Sequence, residues 1–178
     1  MMQYRELGNT GLLVSEIGMG CEGFSEDECR NTRRLFDAAE ELGINYFDLY
    51  TSDPKVRANV GEALKGRREK FYIQSHLCSV WKNGQYKRTR KIAEVKAGME
   101  EMLSLLQTDY IDVGMIHYCD SLQDWKTIEE GPVLQYAREL KAAGVIRHIG
   151  LSSHNPEAAL AAVRSGAIEV LMFSVNPC

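Results

Sequence analysis

Six short apolar runs, rich in β-branched and aromatic residues, recur along the chain. They are Ile17 to Cys21, Asn45 to Tyr50, Phe71 to Ser75, Ile111 to Ile116, His148 to Leu151 and Val170 to Val175. They are continuous runs more than alternations, which is typical of parallel strands buried on both faces. The pattern therefore predicts about six parallel strands.

Five segments between these runs have the periodicity and the end signals of amphipathic helices. Ser25 and Glu28 form a capping box for the first helix, with Leu35, Phe36, Ala39 and Leu42 as its apolar stripe. The others are a helix near Val56 to Leu64, one with an apolar face from Ile92 to Leu106, one with a stripe from Val133 to Leu140, and one that begins with Asn155 as cap and Pro156. Strands and helices thus alternate.

This alternation leaves two architectures open, a doubly wound sheet and a (β/α)₈ barrel. No GxGxxG or Walker A sequence follows a predicted strand, which weakens the nucleotide-binding doubly wound alternatives. Before the first barrel strand, Tyr4 to Leu7 and Leu12 to Val14 predict a β-hairpin with a turn near Gly8 to Gly11, which could close the bottom of a barrel.

A complete barrel of this kind needs roughly 250 residues, and the chain has 178. We therefore expect residues 1–178 to be one α/β domain, a TIM (β/α)₈ barrel truncated after about the sixth strand. Its two open strand edges are candidates for self-association.

Charge and cysteine content narrow the class of protein. A net charge of −4 argues against an extended surface for nucleic acid, and no apolar run near Met1 predicts a signal peptide or membrane anchor. The five cysteines are an odd number at wide spacings with no CxxC, which favours reduced thiols over disulfides, a metal or a cluster. Cytoplasm is the expected compartment.

Polar residues follow the predicted strands where a parallel barrel carries its functional groups. They are Gly20-Cys21-Glu22, Asp48 with Tyr50, Ser75-His76, His117-Tyr118, Ser152-Ser153-His154 and Asn176. Because the carboxyl ends of parallel strands meet at one end of a barrel, we expect these residues to lie together.

Five motifs in order carry a resemblance across the whole chain. They are the opening YRELGNTGLLVS, then Gly18-Met19-Gly20, GINYFD ending at Asp48, DYID followed by Ile116-His117, and IRHIGLSS ending at Ser153. With these motifs the chain resembles the aldo-keto reductases. The resemblance implies reduction of small carbonyl compounds with NADP(H), using an Asp, Tyr, Lys and His tetrad. In that chemistry the developing oxyanion needs a proton donor and preorganised hydrogen bonds.

The tetrad is only partly matched. Asp48 and His117 match the family's Asp and His, but Asp53 stands at the position of its Tyr and His76 at the position of its Lys. His76 could replace the Lys or hydrogen-bond with Asp48, and Tyr50 is a candidate surrogate proton donor.

The nicotinamide contacts show a similar mixture of matches and replacements. Ser152 matches the family's serine that holds the carboxamide, Ser153 stands where Asn is common, and Met172 stands where Gln is expected. Gly20 and Asn176 complete the candidate cofactor-binding set. The chain also resembles a branch of the family that carries a ferredoxin-like cluster domain beyond the barrel, but no Cys-rich tail occurs within these residues.

Two alternatives to a reductase remain at the level of sequence. The missing Tyr and Lys are compatible with a degenerate barrel that acts as a non-catalytic binding, assembly or redox-partner module, and Asp48 with His117 could serve a lyase or isomerase. Trp81 and Tyr86, in the segment after the third strand, could form an aromatic lid over the site or pack on the outer helices.

Overall fold

The computed structural model describes residues 1–25 and 29–176 and is organised around one curled parallel sheet. Its six strands lie side by side in chain order, so every connection between neighbours is a parallel crossover. The strands are β3 (Met19–Gly20), β4 (Tyr46–Leu49), β5 (Tyr72–Leu77), β8 (Ile111–Ile116), β9 (Ile146–Ser153) and β10 (Val170–Phe173). The predicted truncated barrel is confirmed.

The helices of the described residues lie on the outside of the sheet. They are α1 (Cys29–Leu42), α2 (Pro54–Leu64), α3 (Ile92–Leu106), α4 (Leu122–Glu130), α5 (Pro132–Ala142) and α6 (Pro156–Ser165), with 3₁₀ turns at Glu22–Ser25 and Arg68–Lys70. The short helix α4 was not predicted, because only Trp125 and Ile128 of it are buried and two positions make no periodic stripe. None of these helices is long and apolar enough to cross a bilayer.

Helix α1 differs from its prediction in the face that it buries. Its buried residues are Thr32, Phe36 and Ala39, whereas Leu35 and Leu42 are 37% and 66% exposed. The buried stripe is therefore only one residue wide, and the inclusion of Leu35 and Leu42 was wrong. The predicted capping box includes Glu28, which lies outside the described residues.

Two antiparallel hairpins flank the parallel sheet. The N-terminal one, β1 (Tyr4–Glu6) with β2 (Leu13–Ser15), confirms the predicted hairpin. The second, β6 (Ser79–Lys82) with β7 (Gln85–Arg88), forms a sheet of its own in a segment predicted only as a loop. Its turn is Asn83-Gly84, with φ angles of 55° and 78°, which is the sequence signal for a two-residue hairpin.

Two apolar layers hold the sheet in place. Outside it, Phe36 of α1 stacks on Phe47 of β4 with ring centroids 4.3 Å apart, and Phe71 meets both rings edge-on. On the other side, a smaller buried cluster joins the N-terminal hairpin to the strands; its members are Leu12, Val14, Val113, Met115 and Val170. The hairpin therefore covers the interior of the curled sheet.

A charge cluster around one fully paired carboxylate lies at the amino ends of β5, β8 and β9. The Asp112 carboxylate, 1% exposed, accepts hydrogen bonds from Arg68 (2.8 Å), Arg147 (2.9 Å) and the backbone N–H of Ile73 (2.9 Å). The guanidinium carbons of Arg68 and Arg147 lie 4.2 and 4.3 Å from the centroid of the Tyr110 ring. Every oxygen of this buried carboxylate has a partner, which links three strands at this end.

Candidate active site

The candidate site is a cleft of about 670 Å³ at the carboxyl ends of the strands. It is lined by groups from seven regions of the chain, among them Tyr50, His76, Tyr86, His117, Ser152 and Met172. Parallel strands gather their carboxyl ends at one face, which brings these residues together although they are far apart in sequence. The volume is in the range of pockets that bind small molecules.

Asp48, His76 and His117 form a hydrogen-bonded row across β4, β5 and the end of β8. His76 Nε2 lies 3.0 Å from Asp48 Oδ1, and His76 Nδ1 lies 2.8 Å from His117 Nδ1. His76 is 2% exposed and His117 is 6% exposed. The structure thus places His76 between the Asp and the His, where it contacts both.

Tyr86 of the hairpin β6–β7 extends this row into the cleft. Its phenol oxygen lies 2.9 Å from His117 Nε2, and its ring meets the His117 ring edge-on at 5.7 Å. Tyr86 is 43% exposed, and its strand partner Trp81 also lines the cleft. Both aromatic residues therefore face the site, as in the predicted lid, whereas the contact of Tyr86 with His117 was not predicted.

The protonation of His117 follows from its surroundings. Burial, reinforced by the neighbouring His76 and Arg90, lowers the pKa of His117 to about 3. The ring is therefore neutral near pH 7 and carries one proton, so one of its nitrogens donates and the other accepts. Burial also raises the pKa of the Tyr86 phenol, which keeps its proton.

Tyr50 lies on the other side of His117 and has a different partner. Its ring is parallel to that of His117, with centroids 6.0 Å apart, and its phenol donates a hydrogen bond to the Glu22 carboxylate. Burial, followed by this bond to Glu22, raises the pKa of Tyr50 to about 12. Tyr50 therefore forms a wall of the cleft, with its hydroxyl directed to Glu22.

Asp48 has a second partner that the sequence did not reveal. Gln74 Nε2 donates to Asp48 Oδ1 at 2.7 Å, and Tyr46 donates to Gln74 Oε1 at 2.6 Å. Gln74 and Asp48 are directly paired in the register of β4 and β5, and this register cannot be deduced from the separate strands. Met172, on β10, places its sulfur 3.4 Å from Gln74 Nε2.

The candidate cofactor residues differ in what their side chains can do. Ser152 and Ser153 both line the cleft. Ser152 Oγ accepts the Tyr118 N–H at 2.8 Å, which leaves its hydroxyl proton for another acceptor, whereas Ser153 Oγ donates to the Cys119 carbonyl at 2.5 Å and accepts the Asn155 N–H. Ser153 thus holds the backbone of its own turn.

Gly20 and Asn176 are not among the described residues that line the cleft. Gly20 is exposed at the end of β3, where it pairs with Asp48, and no heavy atom lies within 4 Å of the position of an added Cβ. Asn176 is exposed beyond the end of β10. Their assignment to cofactor binding stays a prediction.

Asp53, which stands at the position of the family's Tyr, is the N-cap of α2. Its Oδ1 accepts the Lys55 N–H at 2.8 Å, and Pro54 occupies the first turn of the helix. Asp53 also lines the cleft. The structure therefore gives this residue a role in helix formation.

Comparison with known proteins agrees with the fold. The model of the aldo/keto reductase family matches residues 16–177. The chain belongs to the aldo-keto reductase family, which confirms the resemblance.

Several relatives are similar over nearly the whole chain. The uncharacterized oxidoreductase YqkF of Bacillus subtilis is 33% identical over 182 residues, covering 98% of this chain and 56% of the relative. L-galactose dehydrogenase of Arabidopsis thaliana is 32% identical, covering 85% of this chain and 48% of the relative. The chain thus spans about half the length of these curated relatives.

Solved structures give the same result. The holo form of an aldo-keto reductase from Bacillus halodurans is 31% identical with a TM-score of 0.81, covering 98% of this chain and 58% of that one. A structure from Pseudomonas aeruginosa assigned to the aldo-keto reductases is 30% identical with a TM-score of 0.87, covering 98% of this chain and 68% of that one.

Proposed function

We propose that the protein is a cytoplasmic oxidoreductase that interconverts small carbonyl compounds and alcohols with NADP(H), and that residues 1–178 act as one domain carrying the reacting groups. The observation that carries this proposal is the hydrogen-bonded row of Asp48, His76 and His117 at the cleft. Buried imidazoles linked to a carboxylate form a suitable path for a proton that moves to or from a reacting oxygen at the cleft.

The cleft fits the nicotinamide end of such a cofactor. A nicotinamide ring has flat apolar faces and a carboxamide that needs hydrogen-bond partners. Met172 and Phe173 supply apolar lining on one side, and Ser152 has a hydroxyl proton to donate to the carboxamide. The Bacillus halodurans relative supports this assignment, because this chain superposes on its holo form with a TM-score of 0.81 and on its apo form with 0.69. A nicotinamide bound there would supply the hydride that reduces the carbonyl carbon.

The remaining steps belong to the chain's own side chains. His117 contacts Tyr86 at the cleft through Nε2, His76 links His117 to Asp48, and Gln74 holds Asp48 in position. Tyr50 packs along His117 and restricts the access of water to the imidazole. The hypothesis that Tyr50 is the surrogate proton donor stays a prediction.

Cofactor binding and turnover test this proposal in the full-length protein. NADPH and NADH are titrated by fluorescence, and a panel of aldehydes and ketones is then assayed. We expect NADPH to bind below millimolar concentration and His117→Gln to lower kcat by roughly 10²–10⁴-fold. His148→Gln is the matched control, since His148 contacts Glu169 and is not among the described residues of the cleft. Absence of binding by both cofactors at millimolar concentration would contradict the proposal.

Self-association through the open edges is a further part of the prediction. The edge strand β10 leaves Leu171 and Met172 38% and 41% exposed. We propose a second copy of the chain as the partner, and sedimentation velocity tests it. A single monomeric species at all concentrations would contradict this part alone.

A further inference from the structure

We propose that Tyr86, carried by the hairpin β6–β7, is the group that exchanges a proton with the substrate oxygen, and that His117 and His76 connect it to Asp48. This inference rests on the proposed function, because it names the proton donor of the same reaction. It fills the role left open by Asp53 at the position of the family's Tyr.

The first support is an unbroken row of hydrogen bonds through four residues from four elements. Tyr86 Oη to His117 Nε2 is 2.9 Å, His117 Nδ1 to His76 Nδ1 is 2.8 Å, and His76 Nε2 to Asp48 Oδ1 is 3.0 Å. The two imidazoles are almost completely buried, so they are connected to each other without intervening solvent. Tyr86 alone among the four is exposed, and it lines the cleft where a substrate would lie.

The second support is the direction of these bonds. With Asp48 ionised and one proton on each ring, His76 donates from Nε2 to Asp48 and must accept at Nδ1. His117 therefore donates from Nδ1 and accepts at Nε2, where the Tyr86 hydroxyl donates. All three hydrogen bonds point from Tyr86 to Asp48.

This arrangement defines a balanced proton transfer. In alcohol oxidation a bound oxidised nicotinamide would accept the hydride, and the hydroxyl proton of the substrate passes to Tyr86 Oη. The Tyr86 proton moves to His117 Nε2, the proton on His117 Nδ1 moves to His76 Nδ1, and the proton on His76 Nε2 moves to Asp48 Oδ1. In the proton transfers alone, four bonds to hydrogen break and four form. Carbonyl reduction is the reverse and starts from protonated Asp48.

Tyr50 lacks such a path. Its phenol donates to the Glu22 carboxylate, and its contact with His117 is a parallel packing of rings. A proton released by Tyr50 would therefore reach Glu22, on the exposed 3₁₀ turn, and not the buried imidazoles. The geometry favours Tyr86 over Tyr50 as the donor.

Ion pairs to α3 hold the hairpin that carries Tyr86. Glu94 of α3 accepts hydrogen bonds from Lys82 of β6 and from Lys87 of β7, as well as from Thr89. Arg90, just after the hairpin, donates to the His117 carbonyl at 2.8 Å. The contacts with Glu94 fix the hairpin to α3, and the contact of Arg90 fixes it to the segment that bears His117. Together they keep the Tyr86 phenol within hydrogen-bond distance of the imidazole.

Nitrogen NMR of the histidine side chains tests the row without any turnover. We expect His117 to carry its proton on Nδ1 and His76 on Nε2 at pH 7. Tyr86→Phe removes the donor to His117 Nε2 and should shift that nitrogen resonance toward the value of an unbonded imidazole nitrogen. Tyr136→Phe, on the outer helix α5, is the matched control and should leave it in place. A resonance unchanged by Tyr86→Phe, or moved instead by Tyr50→Phe, overturns the proposal.

Kinetics separate this inference from the proposed function. We expect Tyr86→Phe to keep NADPH affinity within about threefold and to lower kcat by roughly 10²–10⁴-fold, with a smaller loss in Tyr50→Phe. Turnover that survives in Tyr86→Phe overturns the donor role and leaves the proposed function intact. A wild-type protein that binds neither nicotinamide cofactor overturns both.

Discussion

The two ends of the parallel sheet both contain buried ionisable groups, but they use them differently. At the amino end, Asp112 is fully paired with two arginines and a backbone N–H. At the carboxyl end, Asp48 begins a hydrogen-bonded row that ends at Tyr86, which is exposed at the cleft. We call the amino end closed, because its carboxylate is fully paired, and the carboxyl end open, because its row ends at an exposed tyrosine in a cleft.

Because of this difference, we expect substitutions at the amino end to affect stability and substitutions at the carboxyl end to affect the reaction. A charge whose hydrogen bonds are all satisfied by the protein has none left for a ligand, so its removal affects folding. A row that ends at a cleft retains a group for a substrate, so its removal affects reaction more than folding. Parallel barrels keep functional groups at the carboxyl ends of their strands, and the function proposed for this chain follows that division.

The largest effect on stability is expected at the closed end. Asp112→Ala leaves Arg68 without its buried partner and should lower the free energy of unfolding by about 3–5 kcal/mol. Urea unfolding followed by circular dichroism measures this change. Asp109→Ala, an exposed carboxylate in the neighbouring loop, should change it by less than about 0.5 kcal/mol. Equal effects of the two variants would remove the distinction between the ends.

At the open end we expect a pH dependence of stability that belongs to His117. Because its pKa is about 3 in the folded chain and about 6.5 when unfolded, the unfolded state binds more protons between these values. The contribution of His117 to the free energy of unfolding is present above pH 6.5. It is lost as the pH falls, at up to about 1.4 kcal/mol per pH unit. The free energies of unfolding of wild type and His117→Gln should therefore approach each other as the pH falls from 7 to 4. His154→Gln is the exposed control. Parallel curves would contradict the assignment.

The smallest effect is expected at Asp53, between the cleft and the core. Asp53→Ala removes the cap of α2 and should cost about 1 kcal/mol, while Asp53→Ser, which keeps a capping oxygen, should cost less. Thermal unfolding distinguishes the two variants. If Asp53→Ala leaves stability unchanged but abolishes turnover, Asp53 is catalytic and not a cap.

The sequence predicts those parts of the molecule that depend on local pattern. The strand Ile111–Ile116 agrees with its prediction residue for residue, because all six residues are buried and the apolar run has clear ends. Ile17 to Cys21 was too long, since only Met19–Gly20 pairs with β4. Helix α4 lacks a stripe long enough to detect.

The residues of the site also divide into those that local sequence pattern predicts and those that it does not. The convergence of Asp48, His76 and His117 could be predicted because each lies at or near the carboxyl end of a parallel strand. Gln74 depends on the register between two strands, and Tyr86 depends on how a separate hairpin folds over the barrel. The Asn83-Gly84 pair was the one local sign of that hairpin, and it shows the turn without showing what the turn brings to the cleft.

The hairpin β6–β7 has a consequence for how this barrel can change over evolutionary time. Its two strands pair only with each other and form no part of the barrel sheet. The side chain of Glu94 connects the hairpin to α3. Substitutions, insertions or deletions in such an appendage can replace the aromatic residues over the cleft while the scaffold beneath stays the same. Under the proposed function, changes confined to this hairpin would therefore alter the residues that contact the substrate without changing the barrel.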